Sequence, residues 1–343
     1  MPIKFEFLQH SGESIVVTLE DGTSLLIDGG RSHPFDNDYP KESSEKNIKT
    51  IVVTHIDDDH IAGIIELLEC VELLPSLESI IFNEPKSSQL FSIFNKDART
   101  SAAQGTTLAK LIEKDKKLVH LSDVCLGYND CIQLTPDTCL KILSPSPEGL
   151  DKLHKKWNLQ DYMMNSRRTA GSHLNEHDLS KGIEELAARP LKPDPSLPNE
   201  SSLAFLLESG KRKFLLLGDA HIPQITAGLK RWGYSPENPL YADFIKLSHH
   251  GSRCNISREF LESVRTNTFI VCQAYDNLLK HPDRETVAKI AKYGKAMRSD
   301  EKKSIYLTKD ITPARHLSFS DTEKDRYKFH IKTMASQTLS YEL

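Results

Sequence analysis

Side chains that bind metal ions are concentrated in one short segment, residues 55–60, which reads HIDDDH. Imidazole and carboxylate groups are ligands for zinc and manganese, and a tight turn can aim His55, Asp57, Asp59 and His60 at one point. So many carboxylates in so short a segment repel one another unless positive charge lies among them, which a pair of divalent ions would supply. The alternative interpretation is an acidic loop exposed to solvent.

Three other places in the chain put a ligand-type residue directly after a predicted strand. They are Asp28, Asp219 and the pair His249-His250. Taken alone, each is more typical of a turn or a cap than of a metal ligand. Residues at the same ends of neighbouring strands, however, lie along one rim of a sheet. We therefore predict that these residues and segment 55–60 form one site.

The strands that would position these residues fall into two sets. Alternating patterns predict strands at 5–8, 14–19 and 24–27, followed by a β-branched strand at 51–54 and further strands at 79–82, 139–143, 202–207, 213–217, 243–247, 268–272 and 304–307. Helical periodicity predicts helices at 61–73, 106–116 and 284–293. Two sets of strands, each with its own helices, predict two packed sheets covered by helices on the outside.

The segment 146–198 interrupts this pattern. It is polar, contains Arg167-Arg168 and four prolines between 190 and 198, and shows no strand periodicity. We interpret it as a partly helical insertion or lid with a proline-rich exit. The prediction for the whole chain is one domain, residues 1–343, that carries this insertion.

Composition excludes several classes of protein. The chain has 44 Lys and Arg against 48 Asp and Glu, a formal net charge of −4, so it is not a polybasic nucleic-acid binder. Its apolar runs are far shorter than the roughly 20 residues that span a bilayer, and no signal peptide is evident at the N-terminus. The 6 cysteines form no CxxC pair. We expect a cytoplasmic protein that does not enter a membrane.

The central segment resembles the signature of the metallo-β-lactamase superfamily, HxHxDH, with Asp57 in place of the second His. Together with Thr54 and Ala62-Gly63, this variant is similar to the ComEC/Rec2-type branch, named for the hydrolase domain of a DNA-uptake channel. Further matching motifs follow the same order along roughly residues 3–310: Gly12-x-Ser14, Leu26 to Gly30, Leu143-Ser144-Pro145, Asn199 to Ser202, Leu217 to Ala220, His249 to Ser252, and His281-Pro282. The resemblance implies an α/β fold, an αββα sandwich with a mostly helical insertion.

The resemblance also implies a role for each residue of the site. His55 and Asp57 would hold one metal ion, Asp59 and His60 the other, and Asp219 would bridge both. The second site would be completed by His250 or its neighbour His249. Asp28 would orient the ligands from behind.

One position departs from the family pattern. Where many members carry a further His before the bridging Asp, this chain has Asn199 and Ser202. The first ion would then be weakly held and exchangeable. The oxygen-rich ligand set suits Mn²⁺ at least as well as Zn²⁺. We therefore expect two divalent ions, Zn²⁺ or Mn²⁺, as the cofactor.

Hydrolysis is the reaction that such a centre implies, because two ions can share a hydroxide and polarise a phosphoryl or carbonyl oxygen. Asp59 would be a ligand that also steers the water, and His281 would donate a hydrogen bond to the oxygen that gains charge. Lys246 and Ser252 are candidates for contact with the substrate; an exposed strand residue and a turn residue are the alternatives.

Three functions remain open. The leading hypothesis is a metal-dependent phosphodiesterase or nuclease acting on nucleic acid or a nucleotide. Basic clusters occur at 114–117, 155–156, 167–168 and 211–213, and the insertion would lay some of them beside the site. The second is a hydrolase of a small ester, lactone, thioester or cyclic nucleotide. The third is a non-catalytic component that binds a protein partner through segment 146–198.

Overall fold

A computed structural model describes residues 1–8, 12–32, 34–35, 45–70, 74–84, 101–156, 178–272, 281–309 and 315–343. Strands and helices alternate along most of this length. The central part of the insertion, 157–177, lies outside the described residues, and with it the predicted basic pair Arg167-Arg168. No helix in the described ranges combines the length and the apolar character that crossing a membrane requires.

The N-terminal half of the chain builds most of a seven-stranded sheet. Its strands are β1 (Ile3–Phe7), β2 (Ile15–Thr18), β3 (Ser24–Ile27), β4 (Ile48–Val52), β5 (Ser79–Ile81), β6 (Val119–Leu121) and, from the C-terminus, β17 (Thr338–Tyr341). The order across the sheet is β17-β1-β2-β3-β4-β5-β6. The first three strands form the predicted antiparallel meander, and β3 to β6 run parallel.

The second half builds an eight-stranded sheet. Its strands are β7 (Cys131–Thr135), β8 (Thr138–Ser144), β9 (Ala204–Ser209), β10 (Arg212–Leu216), β12 (Phe244–Lys246), β14 (Thr268–Val271), β15 (Lys303–Leu307) and β16 (Phe329–Thr333). Strands β10, β12, β14, β15 and β16 are parallel neighbours. Two short strands, β11 (Leu240–Tyr241) and β13 (Val264–Arg265), pair separately.

Nine helices are assigned within the described residues: α1 (Asp58–Glu69), α2 (Ser101–Lys114), α3 (Pro147–Lys156), α4 (Ile183–Ala187), α5 (Leu197–Glu200), α6 (Ile222–Arg231), α7 (Arg258–Glu262), α8 (Arg284–Tyr293) and α9 (Asp321–Arg326). Short 3-10 turns occur at Ser248–Gly251, Arg253–Asn255 and Arg315–Leu317. The described ends of the insertion contain α3, α4 and α5, in agreement with the mostly helical segment predicted there.

Three apolar clusters show how these layers pack. Side chains of both sheets, such as Phe5 and Phe214, are fully buried against one another in the middle cluster. A second cluster joins the outer face of the seven-stranded sheet to α1 and α2, and a third joins the eight-stranded sheet to α6 and α8. Each sheet is thus buried on both faces, as parallel strands require. The result is the predicted αββα sandwich.

Helix α1, which begins within the central motif at Asp58, packs against the backbone corner after β3. The amide of Gly63 donates to the carbonyl of Gly30, and the amide of Gly29 donates to the carbonyl of His60. A Cβ on Gly63 would lie 2.0 Å from the carbonyl oxygen of Gly29, so glycine is required for this approach. The contact brings the start of α1 next to Asp28 at the end of β3.

Candidate metal centre

The predicted ligands come together at one edge of the sandwich, where parallel strands of both sheets end. Asp28 follows β3, and His55 lies just beyond β4, which leads into α1. From the other sheet, Asp219 lies just beyond β10 and His249-His250 just beyond β12. The site therefore spans the two sheets, and its geometry depends on how they pack.

A chain of hydrogen bonds orients His55. Asp28 accepts hydrogen bonds from the amide and the hydroxyl of Thr54, both at 2.7 Å. Because that hydroxyl donates to Asp28, it accepts the Nδ1–H of His55, at 3.0 Å. The lone pair of His55 is thereby placed on Nε2, which lies 3.7 Å from Asp57 Oδ2 and 3.8 Å from Asp219 Oδ2.

His60 and His250 are oriented in the same way. Nδ1 of His60 donates to Asp28 Oδ2 at 2.8 Å, and its Nε2 lies 3.5 Å from Asp219 Oδ1. Nδ1 of His250 donates to the carbonyl of Cys272 at 2.8 Å, and its Nε2 lies 3.3 Å from Asp59 Oδ2. With Nδ1 engaged in both residues, Nε2 of each imidazole faces a carboxylate.

His249 is held by a residue that the sequence reasoning missed. Its Nδ1 donates to Asp194 Oδ2 at 3.1 Å, and its Nε2 lies 3.9 Å from Asp219 Oδ2. Asp194 also accepts a hydrogen bond from Nδ2 of Asn199 at 2.8 Å. Asp194 lies in the proline-rich exit of the insertion, and nothing in its local sequence distinguishes it from a loop carboxylate.

The geometry separates the two histidines that the sequence left as alternatives. His250 lies beside Asp59 and His60, whose ligand atoms are within 4.8 Å of one another. His249 instead faces the same oxygen of Asp219 as His55 does, on the other side of the cluster. His249 and His250 both adopt the left-handed backbone conformation, with φ of 48° and 52°. Strain of this kind in a non-glycine pair is typical of functional sites.

The electrostatics of the cluster fit cations at its centre. His55 Nε2, His60 Nε2 and Asp219 Oδ1 are buried without a hydrogen-bond partner among the described atoms. Burial lowers the pKa of His55 to about 3, so its imidazole is neutral. Ligand atoms roughly 2.1 Å from one tetrahedral ion lie roughly 3.4 Å apart, close to the spacing seen here. Lone pairs and carboxylates at this distance repel unless a cation lies between them.

The charge on neighbouring groups supports the same interpretation. Burial opposes a charge on His60, but the carboxylates of Asp219 and Asp28 raise its pKa well above its usual range. Burial alone would raise the pKa of Asp219, yet His60 and His249 bring it well below its usual range. The cluster attracts positive charge, and divalent ions would replace the protons held there.

Two further predicted residues contact the ligands. Ser202 Oγ lies 3.4 Å from His55 Nδ1 and accepts the amide of Asp219 at 3.1 Å. Nδ2 of Asn199 donates a hydrogen bond to Asp194 and also contacts Nδ1 of His249. His281 is 6% exposed and its ring centroid lies 5.7 Å from that of His249. Burial lowers the pKa of His281 to about 3, although Asp283 acts in the opposite direction.

The two predicted substrate contacts, Lys246 and Ser252, both have polar partners within the protein. Lys246 is 0% exposed; its ammonium pairs with Glu13 and donates to the carbonyl of Gly218 at 3.0 Å. Ser252 is buried, and its hydroxyl accepts the amide of Cys254 at 3.3 Å. The ammonium of Lys246 is therefore not presented to solvent. The alternative of an exposed strand residue is wrong for Lys246, because this strand is buried on both faces.

Replacing Asp194 by Asn is expected to weaken one metal site selectively. The amide would no longer fix the tautomer of His249, and losing such a hydrogen bond to a ligand typically lowers metal affinity ~10- to 100-fold. Calorimetric titration with Mn²⁺ or Zn²⁺ should show one site weakened and the other unchanged. Glu200→Gln, a nearby charge removal in α5, is the control. Equal affinities in wild type and Asp194→Asn would refute the role of Asp194.

Comparisons with known proteins agree with this geometry. Residues 9–69 match the metallo-β-lactamase superfamily. ComE operon protein 3 of Bacillus subtilis (strain 168) is 26% identical over 130 residues, which cover 36% of this chain and 16% of that protein. The match thus spans less than a fifth of the relative's length.

Two solved structures are similar in overall shape. The metallo-β-lactamase fold protein YhfI from Bacillus subtilis has 9% identity and a TM-score of 0.40, covering 99% of each chain. CmlA, a diiron β-hydroxylase from Streptomyces venezuelae, has 12% identity and a TM-score of 0.40, covering 99% of this chain and 54% of its own.

The family match and the geometry lead to one assignment. The matched segment contains the motif at 55–60 and the corner at Asp28, which the structure brings together at the site. Such a cluster of imidazoles and carboxylates supports a metal-dependent hydrolase in general terms. Residues 9–69 thus carry the sequence signature of the metallo-β-lactamase superfamily, and the chain resembles the ComEC-type branch of that superfamily.

Proposed function

We propose that this protein is a metal-dependent phosphodiesterase acting on nucleic acid or nucleotides. The observation that carries the proposal is the position of Asp219. One of its oxygens faces His55 and His249, and the other faces His60, which lies beside Asp59. A carboxylate whose two oxygens face separate ligand groups suits a pair of divalent ions.

The donor set indicates which residues would hold each ion. His55, Asp57 and His249 would hold the first ion, and Asp59, His60 and His250 the second, with Asp219 shared between them. When bound, the two ions would activate water and polarise a phosphoryl oxygen. The mixture of imidazole and carboxylate ligands suits Zn²⁺ and Mn²⁺.

Side chains around that centre orient the ligands and stabilise the charge that develops during hydrolysis. Asp28 and Asp194 hold the imidazoles in the tautomer that leaves Nε2 free. His281 is neutral and lies next to His249, a position from which an N–H can stabilise the oxygen that gains charge. Buried surroundings strengthen such a hydrogen bond because little water competes for it.

The test is hydrolysis of bis(p-nitrophenyl) phosphate, single- and double-stranded DNA, and RNA with Mn²⁺, Zn²⁺ or Mg²⁺ added. We expect turnover of at least one phosphodiester that chelation abolishes and metal restores. Asp59→Asn should lose this turnover, while Asp58→Asn, its exposed neighbour in the same turn, should keep it. Turnover of carboxylic esters or lactones alone would contradict the phosphodiesterase. Absence of any bound metal and of any turnover would favour a partner-binding role.

A further inference from the structure

A second feature lies at the edge of the eight-stranded sheet opposite the metal centre. A cavity of about 410 Å³ opens where α8 ends and where β15 and β16 begin. The predicted metal ligands follow the carboxyl ends of strands in this sheet, whereas the cavity lies at their amino ends. The two places are therefore separated by the length of the strands.

Half of the residues that line the cavity have cationic side chains. They include Arg265, Lys295, Arg298, Lys303, Arg326 and Lys328. The chain as a whole has a net charge of −4, so this concentration of positive charge is local and not a property of the whole surface. A concave surface of one sign focuses the field and raises the local concentration of ions of the opposite sign.

These charges have few acidic partners. Among the residues that the structure describes, Lys295, Lys303 and Lys328 have no carboxylate within 4.0 Å. Glu301 adds one negative charge to the lining, and Arg298 lies 3.7 Å from Asp300, so positive charges still outnumber negative ones there. The excess of positive charge in the cavity is thus not neutralised by the protein.

Lys303 provides a buried, oriented donor at the base of the cavity. The residue is 6% exposed, and its ammonium donates to the carbonyls of Ala291 and Gly294 at 2.6 and 3.0 Å. An ammonium has three donors, so one N–H remains for a ligand. Burial, with the neighbouring charge of Lys295, lowers the pKa of Lys303 to about 8, which a bound anion would reverse.

We propose that this cavity binds a small phosphate-bearing anion of nucleotide size, separately from the metal centre. Cavities of roughly 300–1,000 Å³ hold ligands of that size. Guanidinium and ammonium groups are the side chains that recognise phosphate oxygens. Met297 and the ring of Tyr327 add apolar lining on which a base can rest.

The test is calorimetric binding of ATP, tripolyphosphate and adenosine to the Asp219→Asn full-length chain, which disables the metal centre. We expect ATP and tripolyphosphate to bind and adenosine not to bind. Tighter binding of ATP than of tripolyphosphate would identify a nucleotide, and equal binding would identify the phosphate chain itself. Either result supports the site.

The matched variants locate the binding. Lys295→Glu with Arg298→Glu, both exposed, should weaken binding at least roughly tenfold, since charge reversal there replaces attraction by repulsion. Lys4→Glu with Lys230→Glu, two exposed positions on β1 and α6 that do not line the cavity, makes the same change in net charge and should leave binding unchanged. No anion binding, or equal weakening in both double variants, would overturn the proposal.

Discussion

Replacing Asp219 by Asn is expected to reduce phosphodiester hydrolysis by at least ~100-fold, beyond the ~10- to 100-fold typical of residues that only orient a ligand. Asp219 is 3% exposed, and its carboxylate lies between His55, His249 and His60. An asparagine amide at this position keeps one oxygen but loses the negative charge that faces His55 and His249 on one side and His60 on the other. Both metal ions should therefore bind more weakly in Asp219→Asn.

The measurement pairs initial rates at saturating Mn²⁺ with the number of ions bound per chain after dialysis. Circular dichroism and thermal unfolding show whether the variant folds. Asp58→Asn removes the same charge from the neighbouring turn and should retain both activity and metal binding. If Asp219→Asn bound two ions with unchanged affinity, Asp219 would not be the shared ligand.

Replacing Lys246 by Met is expected to destabilise the protein by roughly 3–5 kcal/mol. The ammonium of Lys246 pairs with Glu13, and both residues are almost completely buried. Removing one partner leaves the other charge in the interior without compensation. Adding Glu13→Gln to Lys246→Met should therefore recover much of the lost stability, because the uncompensated charge disappears.

Chemical denaturation of the metal-free single and double variants measures these differences. Burial raises the pKa of Glu13, and Lys246 acts in the opposite direction, so losing Lys246 raises that pKa further. An acid with a raised pKa in the folded state holds its proton more tightly there than in the unfolded state. The destabilisation by Lys246→Met should therefore shrink as the pH falls toward the usual pKa of glutamate.

The pair of Lys141 and Glu208, whose side chains are 25% and 18% exposed, is the partly exposed control. Lys141→Met should cost less than about 1 kcal/mol, because solvent compensates an exposed charge. Similar losses in Lys141→Met and Lys246→Met would contradict the view that burial makes the internal pair important. The comparison also separates the general effect of removing a lysine from the effect of position.

The amino-acid sequence by itself determined the type of site and the order of most elements. The segment HIDDDH, directly after a β-branched strand, predicts a metal site because residues that are neighbours in the chain stay close together in any fold. The residues that follow strands, Asp28, Asp219 and His249-His250, were predicted to converge because parallel strands end at a common edge. Helix α8 was predicted with the bounds that the structure has. Strands β16 and β17 were missed, since they depend on pairing with distant partners, β15 and β1.

Only the tertiary structure decided how the site is arranged. It placed His250 beside Asp59 and His249 beside Asp194, a loop residue 55 positions earlier in the chain. It also buried Lys246 against Glu13, where the sequence pattern suggested contact with substrate. These facts depend on the packing of one sheet against the other. Hydrogen bonds and burial between distant residues are set by that packing, and local sequence carries no record of it.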